Sequence, residues 1–397
     1  MKEMILKIWQ KWFGEKEVLK QESQASCDLH TPSPSREGKQ NKVSRTMLED
    51  LEVCLFSNYV FRFNVLTEQT EFCKKGEKGF HLVDQRALNT FCMEARKQGV
   101  NCWDKDVSRL LLSQQIADFH PFSDYMEKLP EWDGVDRVSE LARRVSDEAL
   151  WISGFHRWML GMVAQWMKLE GQCANAVAPL LVSTEQGRCK STFCSIILPE
   201  ELQRFYIDKF DLTSVSGCEQ KLSQFGLINM DEFDRYSVRS MANLKNLMQL
   251  KKLTFRKSHR SYYSQLPRIA SFIGTSNQKE LLTDNTGSRR FLCVEVKDKI
   301  DCTRPDYAQL YAQLKTELLR GERYWFTSEE EKEIQEHNRF FYRQSPEQDI
   351  FFRCFRLPKE GEEAILLSPT EIFCRLQKKY PAALCGSNVI HMGRILV

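Results

Sequence analysis

Nowhere in the 397 residues is there a run approaching the roughly 18 uninterrupted apolar positions that a membrane helix needs, so a helical membrane protein is not expected. Near the N-terminus Ile5, Leu6, Ile8, Trp9, Trp12 and Phe13 are broken up by Lys7, Gln10 and Lys11, which makes neither a signal-peptide core nor a cleavage site. Neither sign of charge dominates, because 57 Lys+Arg against 54 Asp+Glu leave a net charge of +3. The 14 cysteines contain no C-x-x-C, with Cys189 and Cys194 the nearest neighbours, and the seven histidines contain no H-E-x-x-H. Neither a zinc site nor a disulfide framework is expected, and the cysteines read as free thiols of a cytoplasmic protein.

What is present is enough apolar material, 42% of residues, to bury cores in two or three domains. Residues 1–20 carry Ile5, Ile8, Trp9, Trp12 and Phe13 at the spacing of a short amphipathic helix. Residues 21–46 turn polar around Thr31-Pro32-Ser33-Pro34-Ser35 and read as a flexible linker. Over 47–130 a small α+β domain is expected. It would open with a strand at 59–65, turn at 74–79 to close a hairpin, and continue in helices at 85–98 and 104–116, the second capped by Asp104. A long amphipathic helix is predicted at 150–169, and residues 131–300 form the next domain. Residues 301–397 read as mostly helical. Ser368-Pro369-Thr370-Glu371 makes a capping-box start, and a last helix at 387–397 is cut by the chain end. That tail fits either a truncated helix-turn-helix that binds DNA or a helical cap on the core.

The informative stretch begins with Ala176-Val177-Ala178-Pro179-Leu180-Leu181-Val182, an apolar run with the look of a buried strand. Ser183 to Thr192 follow as a loop containing Gln186-Gly187-Arg188-Cys189-Lys190-Ser191-Thr192, and Phe193 to Leu198 as a helix. Strand, loop and helix in that order are the layout of a phosphate-binding loop, the alternative being a fortuitous strand–turn–helix. Backbone N–H groups face an anion, a lysine meets the β- and γ-phosphates, and a hydroxyl serves Mg²⁺. The usual glycines are replaced by Thr184 and Cys189, which fit where φ is negative; a strained loop that has lost ATP is the alternative.

Some 40 residues on, Leu227-Ile228-Asn229-Met230 runs into Asp231-Glu232, the pattern that puts one acid on Mg²⁺ and the next beside the attacking water. A third strand, Ile269 to Gly274, ends in Thr275-Ser276-Asn277, where a polar side chain can reach a γ-phosphate or the water. Arg289-Arg290 follow a turn and suit delivery of a guanidinium across a subunit boundary. Between the acids and Asn277 lies a block from Arg235 to Lys279 with ten cations and no Asp or Glu. Lys251, Lys252, Arg256, Lys257, His259 and Arg260, interleaved with Phe255, Tyr262 and Tyr263, fit phosphate neutralisation and stacking on bases, single-stranded DNA above all.

In order and spacing, Leu129-Pro130-Glu131-Trp132-Asp133-Gly134, the loop through Thr192, Asp231-Glu232, Gly274-Thr275-Ser276-Asn277 and Thr286-Gly287-Ser288-Arg289-Arg290 resemble the virulence-associated protein E family. That resemblance covers about residues 120–340. It implies an α/β fold: a P-loop AAA+-like αβα ATPase core, similar to superfamily 3 helicases, beside the small N-terminal α+β domain and the helical C-terminal region. It further implies ATP and Mg²⁺ as cofactors, a homo-oligomeric, hexameric ring, DNA as partner, a primase on a separate chain, and work in replication of a mobile element. On the residues, it implies phosphate neutralisation by Lys190, Mg²⁺ held by Ser191 and Asp231, water polarised by Glu232, the γ-phosphate sensed by Asn277 and a neighbour's ATP reached by Arg289 or Arg290. A channel hairpin would fall at 255–263 with Lys257 and His259 on it. The rival expectations are a DNA-binding assembly factor whose loop no longer hydrolyses ATP, and an ATP-gated regulator that does not unwind DNA.

Overall fold

The computed structural model describes residues 45–169, 173–212, 215–255, 263–282, 288–343, 346–356, 362 and 365–396. The expected helix at 1–20 and almost all of the linker lie outside them. Two compact units divide at Asp50 and Leu51. What is described of the first is the start of α1 (Met47–Asn58), where the Thr46 hydroxyl accepts from the Glu49 amide at 3.4 Å and the Glu49 carboxylate accepts from the Thr46 amide at 2.7 Å. The domain expected to open with a strand opens with this helix instead.

The second unit begins with a four-stranded sheet in the order β3-β2-β1-β4. β1 (Tyr59–Asn64) pairs antiparallel with β2 (Gln69–Lys74), β2 pairs antiparallel with β3 (His81–Leu82), and β1 pairs parallel with β4 (Asp118–Phe119). The first turn falls at residues 65–68, because the Asn64 side chain accepts from the Leu66 amide at 3.0 Å and Glu68 takes φ +55°. The 74–79 turn comes one strand later, between β2 and β3. Helices α2 (Gln85–Lys97) and α3 (Asp104–Leu111) bury Phe91, Ala95, Val107, Leu110 and Leu111 with the aromatic face Tyr59, Phe61 and Phe72. The start of α3 is set one residue before the expected cap: Asp106 accepts from the Trp103 amide at 3.0 Å, and the helix ends at Leu111.

Next come α4 (Pro121–Glu127), α5 (Arg137–Arg143) and α6 (Ala149–Trp166). His120 caps α4, its Nδ1 accepting from the Ser123 amide at 3.3 Å. Burial, reinforced by the Lys168 ammonium, pushes the imidazole down to about 3. The unfolded chain takes up a proton below its ordinary value near 6.5, whereas the folded chain refuses it until about 3, so stability falls as pH falls through that window. A loss of about 2 kcal/mol between pH 7 and pH 5 is expected from this one group, at ~1.4 kcal/mol per unit. Urea unfolding of wild type and His120→Asn at both pH values checks it. The difference between the two proteins must shrink at pH 5, and equal slopes would refute the assignment.

The core is a five-stranded sheet in the order β11-β5-β10-β7-β6, parallel throughout. Its strands are β5 (Ala178–Val182), β6 (Tyr206–Ile207), β7 (Leu227–Met230), β10 (Ser271–Ser276) and β11 (Phe291–Glu295). Parallel strands covered on both faces are apolar at every position, which is why β5 is buried along its whole length. Successive side chains go to opposite faces. Leu181, Leu227, Ile273, Leu292 and Val294 meet α6, α7 (Lys190–Ile196) and α10 (Tyr307–Leu319). Leu180, Val182, Ile228, Met230, Phe272 and Phe291 meet α8 (Val215–Gln224) and α9 (Val238–Gln249). Gly274 lets the central strands close up, since a Cβ there would stand 2.6 Å from Leu180 Cδ2 and 3.1 Å from the Met230 carbonyl.

A two-stranded hairpin, β8 (Lys252–Phe255) with β9 (Ser264–Pro267), lies between α9 and β10. Beyond the sheet, α11 (Ser328–His337) starts on the capping box of Thr327 and Glu330. Three further helices, α12 (Pro346–Cys354), α13 (Pro369–Lys379) and α14 (Val389–Ile395), share an apolar cluster of Ile350, Ile372, Phe373, Leu376, Leu384 and Met392. The box of Ser368 and Glu371 opens α13 as the spacing predicts. Among the described residues no helix is long and apolar enough to cross a membrane.

Candidate functional site

In a parallel sheet every strand delivers its following loop to the same edge, and ligands bind in the crevice outside those carboxyl ends. Here Val182 pairs with Ser276 and Met230 with Gly274, so the loops after β5, β7 and β10 leave side by side. The β5 loop returns directly into α7, whose first residue is Lys190. Its ammonium, in a side chain only 7% exposed, donates to the Ser183 carbonyl at 3.2 Å and to Asn277 Oδ1 at 3.0 Å. Burial pushes it below the ordinary lysine range, although the Asp231 and Asp234 carboxylates pull the other way. One residue on, the Ser191 hydroxyl donates to Asp231 Oδ1 at 2.9 Å.

Lys190 with Asn277 and Ser191 with Asp231, taken from three separate stretches of sequence, therefore form two hydrogen-bonded pairs that make up one cluster of side chains at the carboxyl edge of the sheet. Two residues of the cluster carry no role in the sequence reading. The Thr275 hydroxyl donates to the same Asp231 oxygen as Ser191, and the Ser276 hydroxyl donates to Asp234 at 2.9 Å. Both stand in the quoted strand end beside Asn277. Hydroxyls at the close of a strand facing two acids were the signal available.

Around Lys190 the loop exposes Gln186, Gly187 and Thr192 and half-buries Arg188 and Cys189, with Arg188 paired to Glu185. Gly187 sits at φ +78°, where its lack of a Cβ is needed. Thr184 is not among the described residues of positive φ, so losing a glycine there costs the backbone nothing. Cys189 departs from the expectation of a negative φ: it holds φ +61°, ψ 27°, squarely left-handed. An L side chain there costs roughly 1–2 kcal/mol that glycine would not, so the loop keeps the glycine geometry without the glycine. Glu232 is the other strained residue of the site, at φ +52°, ψ 50°, its carboxylate paired with Arg235.

The arginine pair is placed elsewhere. Arg289 and Arg290 end the short helical turn before β11, whose first residue pairs with Ala178 at the opposite end of β5. A strand of five residues separates them from the loop, roughly 15 Å along the sheet at ~3.3 Å per residue. Arg289 is half-exposed and pairs with Glu331 at 3.3 Å, while Arg290 is partly buried.

Of the basic block, Lys251 and Lys252 are exposed at the base of the β8–β9 hairpin. Arg256, Lys257, His259 and Arg260 lie outside the described residues. Other members of the block do not face solvent as free charge. Arg235 pairs with Glu232, Lys279 pairs with Glu295 at 2.8 Å, and Arg268 is 1% exposed with its guanidinium turned onto main-chain carbonyls. No group of three or more His, Cys, Asp or Glu able to hold a metal ion occurs among the described residues. The oxygens of Ser191 and Asp231, which suit a hard cation completed by water and phosphate, form a smaller set than that.

The sheet, the loop and the acids fall within residues 126–343, which match the sequence model of the virulence-associated protein E-like domain. The chain belongs to the virulence-associated protein E-like family. Residues 344–397 match a second model, a domain of unknown function from B. Theta. Among solved structures, the apo NrS-1 C terminal region (305-718) is 14% identical over 77% of each chain with a TM-score of 0.45, and an A form of that region is 13% identical over 77% of each with a TM-score of 0.43. Among curated proteins none matches.

Proposed function

We propose that this chain is a Mg²⁺-dependent ATPase of the P-loop, AAA+-like class that acts on DNA in the replication of a mobile element. The observation that carries this reading is the cluster of Lys190, Ser191, Asp231 and Asn277 on adjacent carboxyl strand ends. A triphosphate entering there would take the Lys190 ammonium from Ser183 and Asn277 and receive N–H groups from the loop around Gly187. Mg²⁺, when bound, would supply charge neutralisation on the β- and γ-phosphate oxygens. Ser191 and Asp231 would hold that ion, Thr275 keeping the Asp231 carboxylate oriented, and Asn277 would stay within reach of the γ-phosphate. Glu232 would orient and polarise the attacking water once released from Arg235.

Arg289 and Arg290, at the far edge of the sheet from their own loop, could act only on a neighbour's nucleotide. That need for a neighbour is what supports a ring. Lys251 and Lys252, exposed at the base of the hairpin, would supply cationic surface for a DNA backbone, and the sequence that follows them adds Arg256, Lys257 and Arg260. The test is ATP hydrolysis by the purified chain with Mg²⁺, with and without single-stranded DNA. Turnover stimulated severalfold by DNA and reduced by raising salt is the expected result.

A second reading, a DNA-binding assembly factor that does not hydrolyse ATP, draws on the strained Cys189. It predicts DNA affinity indifferent to ATP and no turnover under any condition. An ATP-gated regulator would hydrolyse ATP without separating strands.

A further inference from the structure

The residue that occupies the strained turn of the phosphate loop is a thiol, and a second thiol is packed against it. The chain leaving β11 runs back past the loop: the Ile300 amide donates to the Arg188 carbonyl at 3.2 Å. Two residues later Cys302 Sγ lies 3.7 Å from the Cys189 carbonyl. Both residues are partly exposed, whereas Cys194, the third cysteine of the neighbourhood, is wholly buried under α7.

We propose that Cys189 and Cys302 form a thiol-oxidation site that closes into a disulfide and switches the phosphate loop off. The role assigned to the loop rests on the ATPase reading above; the chemistry of the pair does not. The oxidant is a small disulfide of the glutathione class. The Cys189 thiolate attacks one of its sulfurs, a mixed disulfide forms, and one reduced thiol leaves. The Cys302 thiolate then attacks Cys189 Sγ, the protein disulfide forms, and the second reduced thiol leaves. Two protein thiols are oxidised, one small disulfide is reduced, and two protons pass to the departing thiolates.

The order follows from the surroundings. Burial, then the proximity of Cys189 and Asp301, pushes the Cys302 thiol up to about 11, which makes it the slower first attacker. Capping Cys189 delivers the electrophile to the residue whose carbonyl Cys302 Sγ already approaches at 3.7 Å. The cross-link would tie residue 189 to residue 302 and hold the turn where Lys190 is engaged by Ser183 and Asn277, so the loop could not rearrange around phosphates.

The full chain is incubated with oxidised glutathione without nucleotide, alkylated, and its peptides mapped by mass spectrometry before and after reduction. In parallel, affinity for a fluorescent ATP analogue is measured. The expected result is a Cys189–Cys302 cross-linked peptide and a loss of affinity of roughly tenfold or more, reversed by dithiothreitol, as for a loop held out of its competent state. Cys302→Ser, which leaves Cys189 in place, must show no cross-link and must stop at the Cys189–glutathione mixed disulfide. In the wild-type chain, a stable glutathione adduct at Cys189, a link between Cys194 and Cys302, or no cross-link would overturn the proposal. Should the reduced chain bind no nucleotide, the ATPase reading fails on that result, and the peptide map alone decides the oxidation site.

Discussion

Replacing Lys190 by alanine is expected to lower ATP turnover by roughly 10²–10³-fold or more while leaving the chain folded. The size follows from where the charge sits. An ammonium in a largely buried pocket, drawn from Ser183 and Asn277 when the triphosphate binds, is already in place when phosphate charge develops in the transition state, without the reorganisation that water would need. Removing one such preorganised group costs about 3–4 kcal/mol of transition-state stabilisation. The folded state loses much less. Two hydrogen bonds disappear, Asn277 sits at the open strand end, and at about 1 kcal/mol per bond the cost is a few degrees of melting temperature at most. Turnover at saturating Mg²⁺-ATP and a thermal melt on the same preparations separate the two effects. Unchanged turnover in Lys190→Ala would refute the ATPase reading, and loss of activity with an unfolded melt would show that Lys190 is mainly structural.

The parts of this cluster that were legible before any coordinates share one property. A strand buried on both faces is mostly apolar and ends in polar residues; β5 is apolar throughout, β7 is broken only by Asn229, β10 holds Phe272 and Ile273 between polar ends, and the polar residues after each brought Lys190, Asp231 and Asn277 to notice. What stayed hidden depends on geometry that leaves no pattern. β6 is two residues long, and its place at the sheet edge is decided by pairing with Leu227 and Ile228. The left-handed backbone of Cys189 could not be read from its residue type, because nothing but the fold of the loop demands it. α1 was missed because Leu51, Cys54 and Leu55, its buried positions, are set among Glu49, Asp50 and Glu52, which blur the apolar stripe. The counting of charge along 235–279 misled for a further reason. A sequence records that an arginine is present; whether water or carbonyl oxygens solvate it is settled by packing.

Arg268 is the clearest instance, and its replacement by alanine is expected to destabilise the fold by about 4 kcal/mol. The side chain is 1% exposed. Its Nε donates to the Ala270 carbonyl at 2.7 Å, Nη1 donates to the Leu247 and Met248 carbonyls, and Nη2 donates to the Asn175 carbonyl at 3.1 Å. Leu247 and Met248 belong to the last turn of α9, where unpaired carbonyls and the helix dipole both favour a cation. One guanidinium thus joins the end of α9, the segment leading to β5, the base of the hairpin and the start of β10. Burial pushes it down to about 9, far enough above neutrality that the charge is kept. In Arg268→Ala the four lost bonds, at roughly 0.5–1 kcal/mol each, together cost ~2–3 kcal/mol, and the vacated volume adds a cavity term of ~1–2 kcal/mol. Arg268→Met fills most of that volume and restores none of the bonds, so a loss of about 2–3 kcal/mol is expected, and the gap between the two variants measures the cavity. Urea denaturation of both checks this. A loss below ~1 kcal/mol in Arg268→Ala would mean that water takes over the carbonyls and that the residue is closer to solvent, and so to DNA, than its burial here allows.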